Sequence, residues 1–270
     1  MSIAYQIVVC GSLVPDPLQT LEPVEAANGP ALKNEAMLPA VLDPWAAHAL
    51  YEAANLARNH AGSKVYLVSL GPKAKLQQLM MSVAQKVPFE LIAVDGTASG
   101  FADSAAVAEV LVDAINTIAG LDKSRLLLFG GMASASRDAG TTLQMVGEAL
   151  GIVDQFVGVD ELKVESDGIL RVMERVDGGQ YQISSCQAPP AVLAWATGNL
   201  PEPPNNPQVG MQNMRHVMPA LQRAKTAQLA GSEIHYREVE LPKQVRQTRV
   251  VKDVPEDQIA QEIVDWIRGG

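Results

Sequence analysis

Short apolar runs alternate with stretches of helix-spaced apolar residues along residues 1–150, and this alternation restricts the possible folds more than any other feature. Residues 3–10 end in Ile7-Val8-Val9-Cys10, a near-continuous apolar run expected of a strand buried on both faces. Residues 65–70, 89–94 and 126–129 read the same way. Between them, Ala46, Ala47, Leu50, Ala53, Ala54 and Ala57 recur at helical spacing, with Asp43 as N-cap and Pro44 at the first helical position. Further helices are expected over 74–86, 103–119 and 138–150. Strands separated by helices of this length imply right-handed crossovers and a parallel sheet covered on both sides. The stretch 11–39 is punctuated by Gly and Pro and shows no clear period.

The pattern changes after residue 150. Residues 155–164 and 170–176, joined through Ser166-Asp167-Gly168, read as a hairpin, and Asp177-Gly178-Gly179 turns into a third strand over 181–184. A buried strand returns over 191–195. Beyond Gly198 the chain is rich in Pro, Asn, Gln and Met, and a final amphipathic helix is expected over 256–268. The reading is therefore an α/β domain over 1–198, doubly wound and mostly parallel with an antiparallel insertion, followed by an extended arm over 199–270.

Several function classes are disfavoured. Thirty acidic residues against 21 basic ones give a net charge of −9, the wrong sign for a phosphate-backbone binder, and 4% aromatics leave little for base stacking. Cys10 and Cys186 stand far apart without a Cys-x-x-Cys partner, which excludes a disulfide scaffold and a Cys-rich zinc site. No signal peptide and no membrane-spanning run are read, so a soluble, cytoplasmic protein without membrane insertion is expected. His48, His60, His216 and His235 are isolated from one another. No nucleophile elbow, Walker A loop or zinc-protease motif occurs, so neither a catalytic residue nor a metal ligand is assigned.

The informative segment runs from Leu126 through Gly130-Gly131-Met132-Ala133-Ser134-Ala135-Ser136-Arg137-Asp138-Ala139-Gly140-Thr141-Thr142. A buried strand ends in two glycines, crosses a small-residue loop and enters a helix. Such a helix start offers free N–H groups and a favourable dipole to a phosphate, with threonine hydroxyls beside it. An ordinary βα loop in which Asp138 only caps the helix is the equal alternative. Cys10-Gly11 and Leu70-Gly71-Pro72 close two other strands, and with Asp43-Pro44 they are expected to form an adenosine pocket at one edge of the sheet.

With Val9-Cys10-Gly11-Ser12-Leu13-Val14-Pro15-Asp16, Val68-Ser69-Leu70-Gly71-Pro72, Glu174-Arg175-Val176-Asp177-Gly178-Gly179 and Pro190-Ala191-Val192-Leu193 in this order, the chain resembles the electron transfer flavoprotein (ETF) β-subunit family. The resemblance implies an adenine nucleotide alpha hydrolase-like sheet and a heterodimer with an ETF α subunit that holds most of a redox-active FAD. It implies an electron carrier, not an enzyme, between flavoprotein dehydrogenases and an ETF-quinone oxidoreductase. AMP would be bound structurally, its phosphate against Gly140, Thr141 and Thr142 with Arg137 beside it. The adenosine would lie near Cys10, Asp43, Leu70, Gly131 and Ser134. Leu13 and Pro17 would lie near the FAD. The Pro/Asn/Met segment matches the family's docking loop in position, with Val209, Met211 and Met214 as anchor candidates.

Departures from the family pattern are Ser12 for a lysine, Asp43 for an asparagine, Thr141-Thr142 for a Gln-Thr or Gln-Val pair, and an acidic run reduced to Ser136-Arg137-Asp138. They leave AMP or a second FAD, as in electron-bifurcating members, open at this site. An ATP-using hydrolase-type enzyme on the same fold is the rival of another class, against which stands the single glycine in Gly11-Ser12-Leu13-Val14-Pro15. A nucleotide-sensing module is the third reading.

Overall fold

Alternation along the first strand dictates how the molecule is layered. In β1 (Gln6–Cys10), Ile7 and Val9 enter one hydrophobic cluster and Val8 the other, all fully buried, as the period of two demands of a strand covered on both faces. The computed structural model describes residues 3–27, 29–97, 101–135, 140–229, 236–240 and 248–269.

Two small pairings fill the stretch in which the sequence showed no period. β2 (Leu13–Pro15) precedes a hairpin of β3 (Pro23–Ala26) and β4 (Gly29–Leu32), and β5 (Ala40–Leu42) returns antiparallel to β2. Strands of three or four residues are too short to print an alternation. Then follow α1 (Pro44–Asn59), β6 (Lys64–Gly71), α2 (Lys73–Val83), β7 (Glu90–Asp95), α3 (Ser104–Asn116), β8 (Leu126–Gly131) and α4 (Thr142–Ala149). The antiparallel insertion is β9 (Asp154–Val164), β10 (Leu170–Val176) and β11 (Gln180–Cys186), after which β12 (Ala191–Trp195) returns to the centre. Last come α5 (Pro207–Gln222), β13 (Lys225–Thr226) and α6 (Glu256–Gly269).

The nine-stranded sheet has the order β11-β10-β9-β12-β8-β1-β6-β7-β13, parallel from β9 to β13 and antiparallel at β10 and β11. One face carries α1, α2 and α5 and the other α3 and α4. The expected α/β architecture, doubly wound and mostly parallel with an antiparallel extension, is the one observed.

The segment after Gly198 differs from the open loop expected of it. Asn206 caps α5 by accepting from the Gln208 and Val209 N–H groups, Pro207 occupies the first turn, and Val217 and Leu221 are buried in the core. Gly210, Asn213 and Pro219 interrupt the apolar spacing, which hid the helix in the sequence. Asn213 is the joint. It is 5% exposed, donates to the Ala84 and Val87 carbonyls at 2.7 Å each, and accepts from the Phe89 N–H. By its internal contacts the chain forms two compact units, Met1–Val239 and Glu240–Gly270, so α5 and β13 belong to the first. In the second, α6 buries no residue; Ile259, Ile263, Trp266 and Ile267 form an exposed apolar stripe, with Trp266 81% exposed, and Arg249 pairs with Glu262. No helix among the described residues is long and apolar enough to cross a membrane.

Replacing Asn213 by Ala strands two carbonyls and an N–H in a dry site. We expect a stability loss of about 2–4 kcal/mol, read as a lowered urea midpoint with unchanged slope. A shift below about 0.5 kcal/mol would show that water replaces the amide.

Candidate functional site

Strands β1 and β8 are neighbours, and the chain leaves their carboxyl ends toward opposite sides of the sheet, β1 toward β6 and β8 toward β12. In an open α/β sheet this switch point makes a crevice. Here the crevice gathers Cys10, Asp43, Gly131, Ser134, Gly140 and Thr142, six of the residues singled out from the sequence. Ser12 and Gly130 also line it, as does Leu111, to which the sequence reading gave no place; only the fold brings α3 to this point.

Asp43 organises the crevice. Its side chain accepts from the Trp45 N–H at 3.0 Å and the Ala46 N–H, both in the first turn of α1. It also accepts from the Ser134 hydroxyl at 3.1 Å and the Ala135 N–H at 2.9 Å, beyond β8. Four donors match the lone-pair capacity of a carboxylate, so no acceptor is left for a ligand's amine or hydroxyl. The sequence reading gave Asp43 an adenosine contact; its side chain is committed to the fold instead. At 3% exposure, burial pushes its pKa up, against the downward pull of these hydrogen bonds.

The glycines have their own reason. A Cβ on Gly131 would stand 2.4 Å from the Trp45 Cβ, and one on Gly140 would stand 1.8 Å from the Met132 carbonyl oxygen. The chain itself occupies the space these glycines leave. No ligand approach is needed to explain either one.

At α4 the Thr141 side chain makes no capping bond and the first turn carries no acidic residue, so the helix start is open to an anion. Thr141 is exposed and Thr142 half-buried. The crevice measures about 60 Å³, against roughly 300–1,000 Å³ for whole-ligand pockets. It has room for a phosphate-sized group, and the described residues do not enclose a complete nucleotide. Burial pushes the Cys10 thiol up to about 12, which removes it as a nucleophile at neutral pH.

Other expected residues lie elsewhere. Leu70 is buried on the α3 face at the end of β6 and Leu13 is buried in the opposite cluster, while Pro17 is exposed. Arg137 lies outside the described residues. On α5, Met214 packs against the core, Val209 is half-buried, and Met211 is 62% exposed. Among the described residues no group of three or more His, Cys, Asp or Glu side chains could hold a metal.

The Glu174–Gly179 motif works structurally. Arg175 donates through two nitrogens to the buried Asp160 at 3.0 Å each and to the Thr197 hydroxyl, which ties β10 to β9 and to the end of β12. Glu174 accepts from the Val157 N–H and the Ser184 hydroxyl, and Gly178 and Gly179 turn with φ of 72° and 71°.

The electron transfer flavoprotein domain model matches residues 34–229, well over half of the chain. The chain belongs to the electron transfer flavoprotein family. No curated protein matches it. The ETF match spans β5 to β13, and therefore includes the crevice lining from Asp43 onward, the Arg175 fork and α5, while Cys10 and Ser12 precede it. It places the chain among electron-transferring flavoproteins, a family of carriers whose chemistry involves flavin.

The raised pKa of Asp43 has a signed consequence. The folded state holds this proton more tightly than the unfolded chain, where the group titrates near 3.8. Its stabilising contribution is therefore full below about pH 3.8 and is lost as pH rises through the folded pKa. We expect the stability difference between the natural chain and Asp43→Asn to fall over this window. Parallel urea-midpoint profiles from about pH 4 to 7 would contradict the desolvation.

Proposed function

We propose that the chain is the β subunit of a heterodimeric ETF, carrying electrons from flavoprotein dehydrogenases toward an ETF-quinone oxidoreductase. AMP is bound structurally at the crevice. The observation that carries this reading is the uncapped start of α4 facing a phosphate-sized crevice in a chain of the ETF family. The N–H groups of the first turn and the Thr142 hydroxyl would hold the phosphate. FAD, held mainly by the α subunit, supplies the redox chemistry. The roles of this chain are to bind, to orient and to dock.

The arm fits a permanent partner. A stripe of Ile259, Ile263, Trp266 and Ile267 left uncovered on α6 is expected where another chain buries it, and the α subunit is the occupant this reading assigns. A cytoplasmic location belongs to the same proposal.

The decisive measurement is the nucleotide released on denaturing the co-purified heterodimer. One FAD with one AMP is expected, whereas two FAD would replace the reading by a bifurcating carrier. Turnover of ATP by the chain would replace it by an enzyme. Thr142→Glu sharpens the test. A carboxylate suits a helix start electrostatically but repels a phosphate, so AMP retention should fall while FAD content and heterodimer yield hold. Retention of AMP in this variant would move the phosphate elsewhere.

Docking is assigned to the exposed face of α5. Met211→Ala should slow reduction by the cognate dehydrogenase without changing stability. Met214→Ala should cost about 1–3 kcal/mol of stability, because that side chain packs on the core. Stopped-flow rates and urea midpoints separate the two. Unchanged reduction of the Met211 variant would move docking off this helix.

A further inference from the structure

We propose that a second groove, at the opposite end of the sheet, binds a small amphipathic anion: a carboxylate or phosphate head on an apolar body. The groove lies beside Lys64 and Glu90, the first residues of β6 and β7, whereas the nucleotide crevice lies at strand carboxyl ends. Its volume is about 760 Å³, within the range of small-ligand sites. The inference does not depend on the nucleotide reading.

The walls and the rim differ in character. Ala57, Val65, Phe89, Pro204 and Val209 supply an apolar floor contributed by α1, β6, the start of β7 and α5. Around it stand Arg58, Lys64 and Lys86, with His216 on α5 as a further polar contact and Glu90 as the one carboxylate of the lining. Arg58, Lys64 and Lys86 outnumber the two carboxylates beside them, Glu90 in the lining and Glu202 paired with Lys86, a local reversal in a chain of net charge −9 that favours an anion.

Two of the cations are not used up by the fold. Arg58, in the last turn of α1, makes no ion pair or hydrogen bond with another described residue. Lys64 meets Glu90 only at 3.8 Å, with both side chains more than half exposed. Lys86 is held more firmly, paired with Glu202 at 2.6 Å and donating to the Pro203 carbonyl, with only 18% of its side chain exposed. An incoming anionic head would compete with Glu202 for this lysine. Asn213 lines the groove too, but its amide is spent on the α2–β7 connection, so it makes no demand on a ligand. The selectivity left to the site is charge plus an apolar body.

Isothermal titration of the full chain with octanoate and octyl phosphate tests this, with acetate, inorganic phosphate and octylamine as controls. Both tailed anions should bind, and whichever binds tighter identifies the head group. The tail-less anions and the tailed cation should not bind. Reversing charge with Arg58→Glu and Lys64→Glu should weaken binding by about tenfold or more while the melting temperature holds. Val209→Trp should block binding by filling the floor. Absence of binding by both tailed anions overturns the proposal. So does octylamine binding as tightly, which is simple apolar adsorption, or unchanged affinity in the charge-reversed chain.

Discussion

Asp43 accepts from Trp45 and Ala46 at the start of α1 and from Ser134 and Ala135 beyond β8, so segments about ninety residues apart share one buried carboxylate. The arrangement sets how close α1 comes to the end of β8. That closeness is why residue 131 must lack a Cβ, since Trp45 already fills the space. The switch-point crevice is what remains once this closure is made. Its small volume follows from the clamp, because a looser joint would open a larger cavity at the price of four unpaired polar groups in a dry site.

The parallel core was legible in the sequence because every strand buried on both faces prints a continuous apolar run, and every long helix between them prints a period. Asp43-Pro44 marked the start of α1 to the residue. The β2–β5 pair and the β3–β4 hairpin left no trace, since strands of three or four residues carry too little pattern. The α5 helix was obscured for another reason. Its buried face includes Gly210 and Asn213 among the apolar positions, and Pro219 lies inside it, so hydrophobicity alone under-reports a face buried through hydrogen bonds as well as carbon. The Asn206-Pro207 start repeats the logic of Asp43-Pro44 and was the available signal.

The candidate site was legible as a set of positions but less so as a set of roles. The family resemblance grouped Cys10, Asp43, Gly131, Ser134, Gly140 and Thr142 around one ligand, and the crevice gathers them. It did not reveal that the chain's own atoms satisfy Asp43 and occupy the space beside both glycines. A glycine kept free of a side chain for a ligand and one kept free for a neighbouring carbonyl look identical in one dimension. The distinction needs the 1.8 Å approach at Gly140 and the 2.4 Å approach at Gly131. Among the residues brought together, Thr142 therefore carries the most specific case for ligand contact, since no structural duty accounts for it.

The two ends of the sheet solve opposite problems. At the carboxyl ends the strands converge on tight loops, and polar backbone groups at the start of α4 are left facing a narrow space, which suits a compact, strongly charged group. At the amino ends, residues of α5, of the proline-rich segment before it and of α1 line a gap that has an apolar floor of Ala57, Val65, Phe89, Pro204 and Val209 and charged groups around it. Such a floor gains little from a bare phosphate, which would keep its water on the apolar side, and the narrow crevice cannot admit an apolar body. If both proposed sites bind as argued, discrimination between them follows from shape and desolvation, with no lining residue shared by the two.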